Sequence, residues 1–388
     1  MKRSSIATPR RSSPAPRPDA SKQEMTFMPS AADLAKRLND AAGLPSMNVP
    51  DFVALLRDTF RHAGLSEADA SIAADVAAHG TLHGSDAHGA VQMPLYVAGL
   101  LDGTIKSKPD IKLTGTLPCC KVMDADHALG LVAGQKAMDA AIAMAKAFGM
   151  GAVAVRKSSH NGTAGYFSER AAEHGLIGMA FTNAMPAIAP TGSTEALLGT
   201  NPIGAAFPLP GADPIVIDLA TSVVARSRIR AMLTQGKQLP EGWALDPDGK
   251  PTTDPAIAVK GSVLPIGGPK GYALSLMVEL LCSALADGEP GFQVTYENMV
   301  KRPSNISQFY MALNPAGFAG SEPYGVRAAH VAGVLVKAKP MAGAEAPRLP
   351  GARGFAANRK AAAEGLAISD NLAAALKNVA RMIESRAS

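Results

Sequence analysis

GAVAVRK at residues 151–157, SSHNGTAG at 158–165, YFSERAAEHG at 166–175 and LIGMAFTN at 176–183 decide the fold class. The first and last blocks are short apolar runs bounded by turn residues, which is how buried strands read. The block between them reads as a helix. A strand, a polar loop holding His160, a helix and a second strand make an α/β unit. The second strand runs into another loop of small residues and prolines, PTGSTEALLGTNP at 190–202. Loops of this kind after buried strands are where an α/β scaffold displays reactive groups.

Outward from this block, residues 50–83 read as two helices. Phe52, Leu55, Leu56 and Phe60 fall near helical spacing, Gly64 ends the first helix, and Ser66 opens the second with a capping pattern. A polar loop from Ser85 to Tyr96 follows, with a helix beginning near Pro94. Residues 110–130 read as short strands and 131–147 as an alanine-rich helix of period 3.6. Residues 226–262 look irregular, punctuated by Gly, Pro and Asp. A strongly apolar helix starts at Lys270, and 288–305 read as loop. The segments 308–313 and VAGVLVKAK at 331–339 read as strands. The last helix spans roughly Asn371 to Ile383. There is no repeat array.

Hydrophobic residues make up 47% of the 388 and charged residues 18%, ordinary for a globular enzyme. Much of the net charge of +5 sits in the first 25 residues. The remainder is close to neutral, so nucleic acid is not an expected partner. The Arg, Ser and Pro of that leader cannot bury enough apolar surface to form a core. It lacks the apolar stretch of a secretory signal, although its Arg/Ser content would also suit an organelle transit peptide. We expect a disordered basic extension or an early start codon. No run of about 18 apolar residues occurs, so no membrane span is expected. Cys119, Cys120 and Cys282 form no disulfide framework, which points to a reducing, cytoplasmic setting. No CxxC or Cys/His ligand spacing occurs, so no metal is expected. Neither G-x-G-x-x-G nor a phosphate-binding P-loop is present, and no G-x-S-x-G elbow supports a hydrolase.

Three titratable residues could carry chemistry. His88 lies in the polar loop before Pro94, where an imidazole can protonate a developing alkoxide at neutral pH. His160 is its rival for that role. Asp218 ends the apolar run PIVI, where a carboxylate needs a partner because an isolated buried charge is costly. Such a partner could be a His, held in one tautomer. Each also has a plainer reading, as a loop, capping or turn residue. Lys270 follows Gly267, Gly268 and Pro269 at a helix start, where backbone N–H groups and an ammonium suit a pyrophosphate or 2′-phosphate. A solvated first-turn lysine is the plainer reading there.

The motifs taken in order resemble one family over roughly residues 50 to 385. They are Ser85-Asp86-Ala87-His88-Gly89 with Pro94 and Tyr96, then Ser159-His160-Asn161-Gly162, Thr182-Asn183, Gly199-Thr200-Asn201-Pro202 and Ile217-Asp218-Leu219-Ala220-Thr221-Ser222. Gly242-Trp243-Ala244, Pro251 to Pro255, Leu264-Pro265, Gly267 to Tyr272 and Arg348-Leu349-Pro350-Gly351 continue the pattern. Together they are similar to the type 2 malate/lactate dehydrogenases.

The resemblance implies a non-Rossmann α/β fold with a mixed, largely antiparallel sheet and flanking helical segments. It implies NAD or NADP as cofactor and a small 2-hydroxy or 2-oxo acid as substrate. The alternatives are a cyclic imino acid reductase and a non-catalytic nucleotide-binding relative. His88, His160 and Asp218 become the catalytic candidates, and Gln92, Tyr96 and Ser159 the substrate-side candidates. Thr182, Asn183, Ala184, Ile217, Asp218, Leu219, Ala220, Pro269, Lys270 and Gly351 become the cofactor-lining candidates. The resemblance also implies a homodimer with clefts between subunits. The expected organisation is a disordered extension over 1–48, a central cofactor-binding region over 131–224, and 49–130 with 225–388 packing together on the substrate side. The chain departs from the family pattern at Ala87, usually Ser, and at Gln92, usually an Arg that clamps the substrate carboxylate. It departs also at Ser159, usually Asn, and at Pro269, usually His or Phe. Gln92 can hydrogen-bond a carboxylate but offers no charge and no bidentate fork.

Overall fold

The computed structural model describes residues 28–296 and 301–387. Its centre is a seven-stranded sheet in the order Lys112–Leu117, Cys120–Ala128, Met150–Ser158, Ile306–Leu313, Ile177–Thr182, Ile203–Phe207, Ile215–Leu219. Only Cys120–Ala128 and Met150–Ser158 run parallel, and the other neighbours are antiparallel. A parallel pair needs a long crossover, and the helix Gly130–Phe148 supplies it. The sheet is therefore mixed and largely antiparallel.

Alternation along the central strands sends side chains to two different cores. Val153, Val155, Tyr310, Ala312 and Ala180 point into the larger core, built with the helices Ala31–Ala41, Val49–His62, Glu67–Leu82, Met93–Asp102, Gly130–Phe148 and Asp370–Ala387. Ala152, Ala154, Phe309 and Phe181 point the other way, against Val278, Cys282 and Ala286. The helix Pro269–Glu279 and the wider turn that extends it through Ala284 cover that second face.

Three segments differ from the sequence reading. Residues 331–339 are not a strand: they fall mostly within the helix Ser321–Val336, on which Val326, Val331, Val334 and Leu335 are exposed. Residues 226–262 are more regular than their turn content suggested. They hold the helix Arg226–Thr234 and a three-stranded sheet of Ala244–Leu245, Pro251–Thr252 and Ser262–Val263 around a small core. The expected extension over 1–48 contains the helix Ala31–Ala41, capped by Ser30 Oγ on Asp33 N–H at 3.1 Å. It buries Leu34 and Leu38 in the main core. Residues 1–27 lie outside the described residues.

Candidate active site

Two loops meet at the end of the sheet. The His88 loop leaves the helix Glu67–Leu82 through a backbone contact between Gly80 and Gly89, where a Cβ on Gly80 would stand 2.8 Å from Gly89 Cα. Thr81 Oγ1 accepts the Ala90 N–H at 2.9 Å and locks that return. The His160 loop is pinned on both sides of the histidine. Ser159 Oγ accepts the Gly130 N–H at 2.8 Å, Gln308 Nε2 donates to Ser159 O at 2.9 Å, and Asn161 Nδ2 donates to Tyr310 Oη at 2.9 Å. Gly130 touches the carbonyls of Ser159 and His160 so closely that no side chain fits there.

The hydrogen bonds fix the tautomer of His160. Its Nδ1 accepts the Gly162 N–H at 3.2 Å and lies 2.7 Å from Tyr96 Oη. A backbone N–H can only donate, so Nδ1 is bare and the neutral ring carries its proton on Nε2. Burial drives the His160 pKa down to about 3, and His88 nearby adds to the effect. The two rings lie nearly parallel, centroids 5.8 Å apart.

Asp218 stands in the last strand, Ile215–Leu219, and its Oδ2 accepts the Gly165 N–H at 2.9 Å. Water reaches His88 and Asp218 from the cleft, while protein surrounds their remaining sides. That crowding raises the Asp218 pKa, against the Gly165 hydrogen bond and His88. It lowers the His88 pKa, with Asp218 pulling the other way. Each thus favours charge on the other.

His88, His160 and Asp218 line one cavity of about 270 Å³. A neighbouring cavity of about 190 Å³ shares His88, His160, Ala184 and Tyr296 and adds Gln92, Arg226 and Arg230. The two form one continuous cleft. Asp218, Ser85 and Thr163 also line the far larger cavity of about 880 Å³, whose other wall includes Arg348, Gly351 and Arg353. Asp218 thus stands between two compartments.

The remaining sequence candidates divide. Thr182, Asn183, Ala184, Leu219 and Ala220 line the cleft. Asn183 is held from behind: its Oδ1 accepts the Ser307 N–H at 2.8 Å and its Nδ2 donates to buried Glu279 at 3.2 Å. Gln92 reaches the cleft, but its Nε2 donates to Ala87 O at 2.7 Å. Tyr96 and Ser159 do not line it: both are buried behind His160, Tyr96 as a partner of its ring and Ser159 as a loop pin. Ile217, Pro269 and Lys270 line none of these cavities either. Gly351 (φ 87°) caps the helix Ala352–Glu364 and packs on Val216, where a Cβ would press to 3.0 Å.

Sequence reasoning missed Arg226, Arg230 and Glu279. The two arginines are four residues apart, one helical face, and that spacing was the available signal. Arg226 is anchored by Nη1 on Pro186 O at 2.7 Å and Nη2 on Val259 O at 3.0 Å. Glu279 was a lone acid in an apolar helix, a pattern that demands buried partners. It accepts from Asn183, from Asn201 at 3.0 Å and from the Gly291 N–H at 2.7 Å, tying both cleft loops to the helix behind them.

Comparisons with known proteins identify the family and the fold. The family model for malate/L-lactate dehydrogenase matches residues 47–377. An L-sulfolactate dehydrogenase of Methanocaldococcus jannaschii is 43% identical over 70% of this chain and 78% of that protein. A malate dehydrogenase of Pyrococcus abyssi is 36% identical over 82% and 90%. The solved sulfolactate dehydrogenase from Methanocaldococcus jannaschii superposes with a TM-score of 0.81 at 38% identity, covering 87% of this chain and 97% of that one.

Proposed function

The chain belongs to the malate/L-lactate dehydrogenase family, and from that premise we propose how its cleft works and what it accepts. The protein is an oxidoreductase that interconverts a 2-hydroxy acid and a 2-oxo acid with a nicotinamide cofactor. The observation that carries the site reading is the meeting of His88, His160, Asp218 and two arginines around one cleft.

The larger compartment suits a dinucleotide in its donor set: guanidinium groups from Arg348 and Arg353 and the turn backbone through Gly351, all within reach of the Asp218 partition. When bound, the nicotinamide supplies or takes up the hydride. His88 is the proton carrier. In reduction it delivers a proton to the substrate C2 oxygen, and in oxidation it takes one from the C2 hydroxyl. The Asp218 carboxylate favours the imidazolium that this cycle requires. His160 stays neutral and turns its Nε2–H toward the same oxygen as a hydrogen-bond donor, with Tyr96 and Gly162 fixing the ring.

We read the substrate as an acid with an anionic group besides its carboxylate. Gln92 supplies no charge, yet Arg226 and Arg230 line the cleft beside it. Two guanidiniums suit two anions, as in malate or sulfolactate, the substrates named for the relatives above. The test is kcat/KM for oxaloacetate, sulfopyruvate, pyruvate and a cyclic imino acid, with NADH and with NADPH. A preference for the dianions that falls by about tenfold in Arg230→Gln, roughly one charge-assisted hydrogen bond, supports the reading. Equal rates on pyruvate refute it.

The exposed apolar residues Leu274, Met277, Leu280, Leu285 and Phe292, all on or beside the helix over the second core, support a homodimer joined through this face. Three free cysteines support a cytoplasmic setting, and no helix of the described residues is long and apolar enough to cross a membrane. We propose 131–224 as the central cofactor-binding region, with 49–130 and 225–388 packing together on the substrate side and 225–388 adding Arg348 and Arg353 to the cofactor compartment.

A further inference from the structure

The larger cavity holds a second constellation that the dehydrogenase chemistry does not use. The helix Glu67–Leu82 places His79 in its last turn, and His83 follows four residues later as its C-cap. That spacing sets two imidazoles on one face, edge to face with ring centroids 3.9 Å apart. Glu169 comes from the helix Ala164–Glu173 across the cavity wall. Its Oε2 lies 3.1 Å from His79 Nε2 and 3.9 Å from His83 Nδ1. One donor atom from each of the three residues lies within 4.8 Å of the others.

The 3.1 Å contact is an ordinary hydrogen bond, and both separations also lie in the range set by a shared metal. Zinc–nitrogen bonds of about 2.0–2.1 Å in tetrahedral geometry set neighbouring ligand atoms roughly 3.3 Å apart, between the two observed distances. The 3.9 Å contact is too long for a hydrogen bond. His83 Nε2 also has no partner, although the side chain is only 11% exposed. Within the described residues, His83 thus buries its Nε2 without a partner, while the side chain lines the open cavity with Nδ1 directed at Glu169. His79 Nδ1, by contrast, lies 3.5 Å from Thr163 Oγ1, the outer contact that orients a ligating histidine.

We propose that His79 Nε2, His83 Nδ1 and Glu169 Oε2 bind one divalent transition-metal ion of the zinc type, with the fourth position open to the 880 Å³ cavity. The ion joins two elements that position the proton-transfer groups. The His88 loop springs from the end that His79 and His83 occupy. Glu169 shares its helix with Gly165, whose N–H holds Asp218. The expectation of no metal rested on cysteine and Cys/His motifs, and this site uses neither.

The experiment uses untagged full-length protein stripped with chelator, titrated with Zn²⁺ by calorimetry and with Co²⁺ by visible absorption. Cys119→Ser/Cys120→Ser is the companion protein, because that thiol pair could also capture zinc. The expected result is one ion per chain, retained in the cysteine variant, and weakened roughly a hundredfold or more in His83→Asn and in Glu169→Gln. Thermal unfolding of the wild type should shift up by a few degrees with Zn²⁺ in excess, with no shift in those two variants. Binding weaker than about 1 mM, or unchanged affinity in His83→Asn and Glu169→Gln, overturns the proposal. So does a Co²⁺ spectrum with thiolate bands that vanish in Cys119→Ser/Cys120→Ser, a readout that does not depend on how the histidine variant folds.

Discussion

His88→Asn and His160→Asn should have unequal effects, and the hydrogen bonds around His160 set the inequality. The bare Nδ1 of His160 is occupied by the Gly162 N–H, and burial holds the ring near a pKa of about 3. Protonating that ring at pH 7 would cost on the order of 5 kcal/mol, at about 1.4 kcal/mol per unit, so it makes a poor acid. His88 is displaced in the same direction but faces Asp218, which favours its charged form. His88→Asn should therefore lower kcat/KM by about 10²–10⁴, the usual worth of a general acid or base. His160→Asn should cost about tenfold or less, since it disturbs one hydrogen bond of about 0.5–1.5 kcal/mol. The assay is kcat/KM against pH in both directions. With His88 as the proposed proton carrier, reduction needs its protonated form, so the wild-type reductive rate should climb as pH falls below the ordinary histidine value of about 6.5. Oxidation needs neutral His88 and should fall over the same range. Both limbs should vanish in His88→Asn and persist in His160→Asn. A larger loss in His160→Asn, with the pH limb gone, would refute the assignment.

Asp218→Asn removes the anion that favours the imidazolium, so the reductive limb should move to lower pH, read from the same profiles. His160 also makes stability depend on pH. Its folded pKa is depressed, so the unfolded chain binds more protons below about pH 6.5 and stability falls as pH drops, by at most about 1.4 kcal/mol per unit from this group. Urea midpoints between pH 7 and 5 would show the sign, and a midpoint that rises on acidification contradicts it. Glu279→Ala leaves Asn183, Asn201 and the Gly291 N–H without their acceptor and should cost about 3 kcal/mol or more in denaturant unfolding. Removing residues 1–45 deletes buried Leu34 and Leu38 and should cost about 3 kcal/mol or more. An unchanged midpoint would mean that this helix contributes nothing to the core.

The sequence was legible where one physical rule dominated. The strands Met150–Ser158 and Ile177–Thr182 are apolar because both faces are covered, and a short apolar run bounded by turn residues reads as a buried strand. It misled where two rules give the same pattern. Val331 to Val336 is a short β-branched run that a half-exposed helix can also carry, and length is what separates the two. The helix Ala31–Ala41 was hidden by its Arg-, Ser- and Pro-rich neighbour, although Ser30 and the Leu34–Leu38 spacing signalled it. In the site, His88, His160 and Asp218 lie in loops or at a strand end, where polar residues stand out. Tyr96 and Ser159 are polar residues near the same loops, but only packing shows that they face backwards. Arg226 and Arg230 sit in a segment taken as irregular, so their shared face went unseen. His79 and His83 read as ordinary helix residues until Glu169, 86 positions beyond His83 in the chain, is folded against them.

The most direct test of the central claim is isotopic. The protein is incubated with a 2-oxo dianion and with NADH or NADPH carrying deuterium at the transferable C4 position, and the product is read by mass spectrometry and NMR. Transfer of one deuterium to C2 of a single enantiomer of the 2-hydroxy acid, abolished with the rate in His88→Asn, is the predicted result. Unreacted 2-oxo acid with both cofactors, or a hydroxy acid without deuterium at C2, would contradict it.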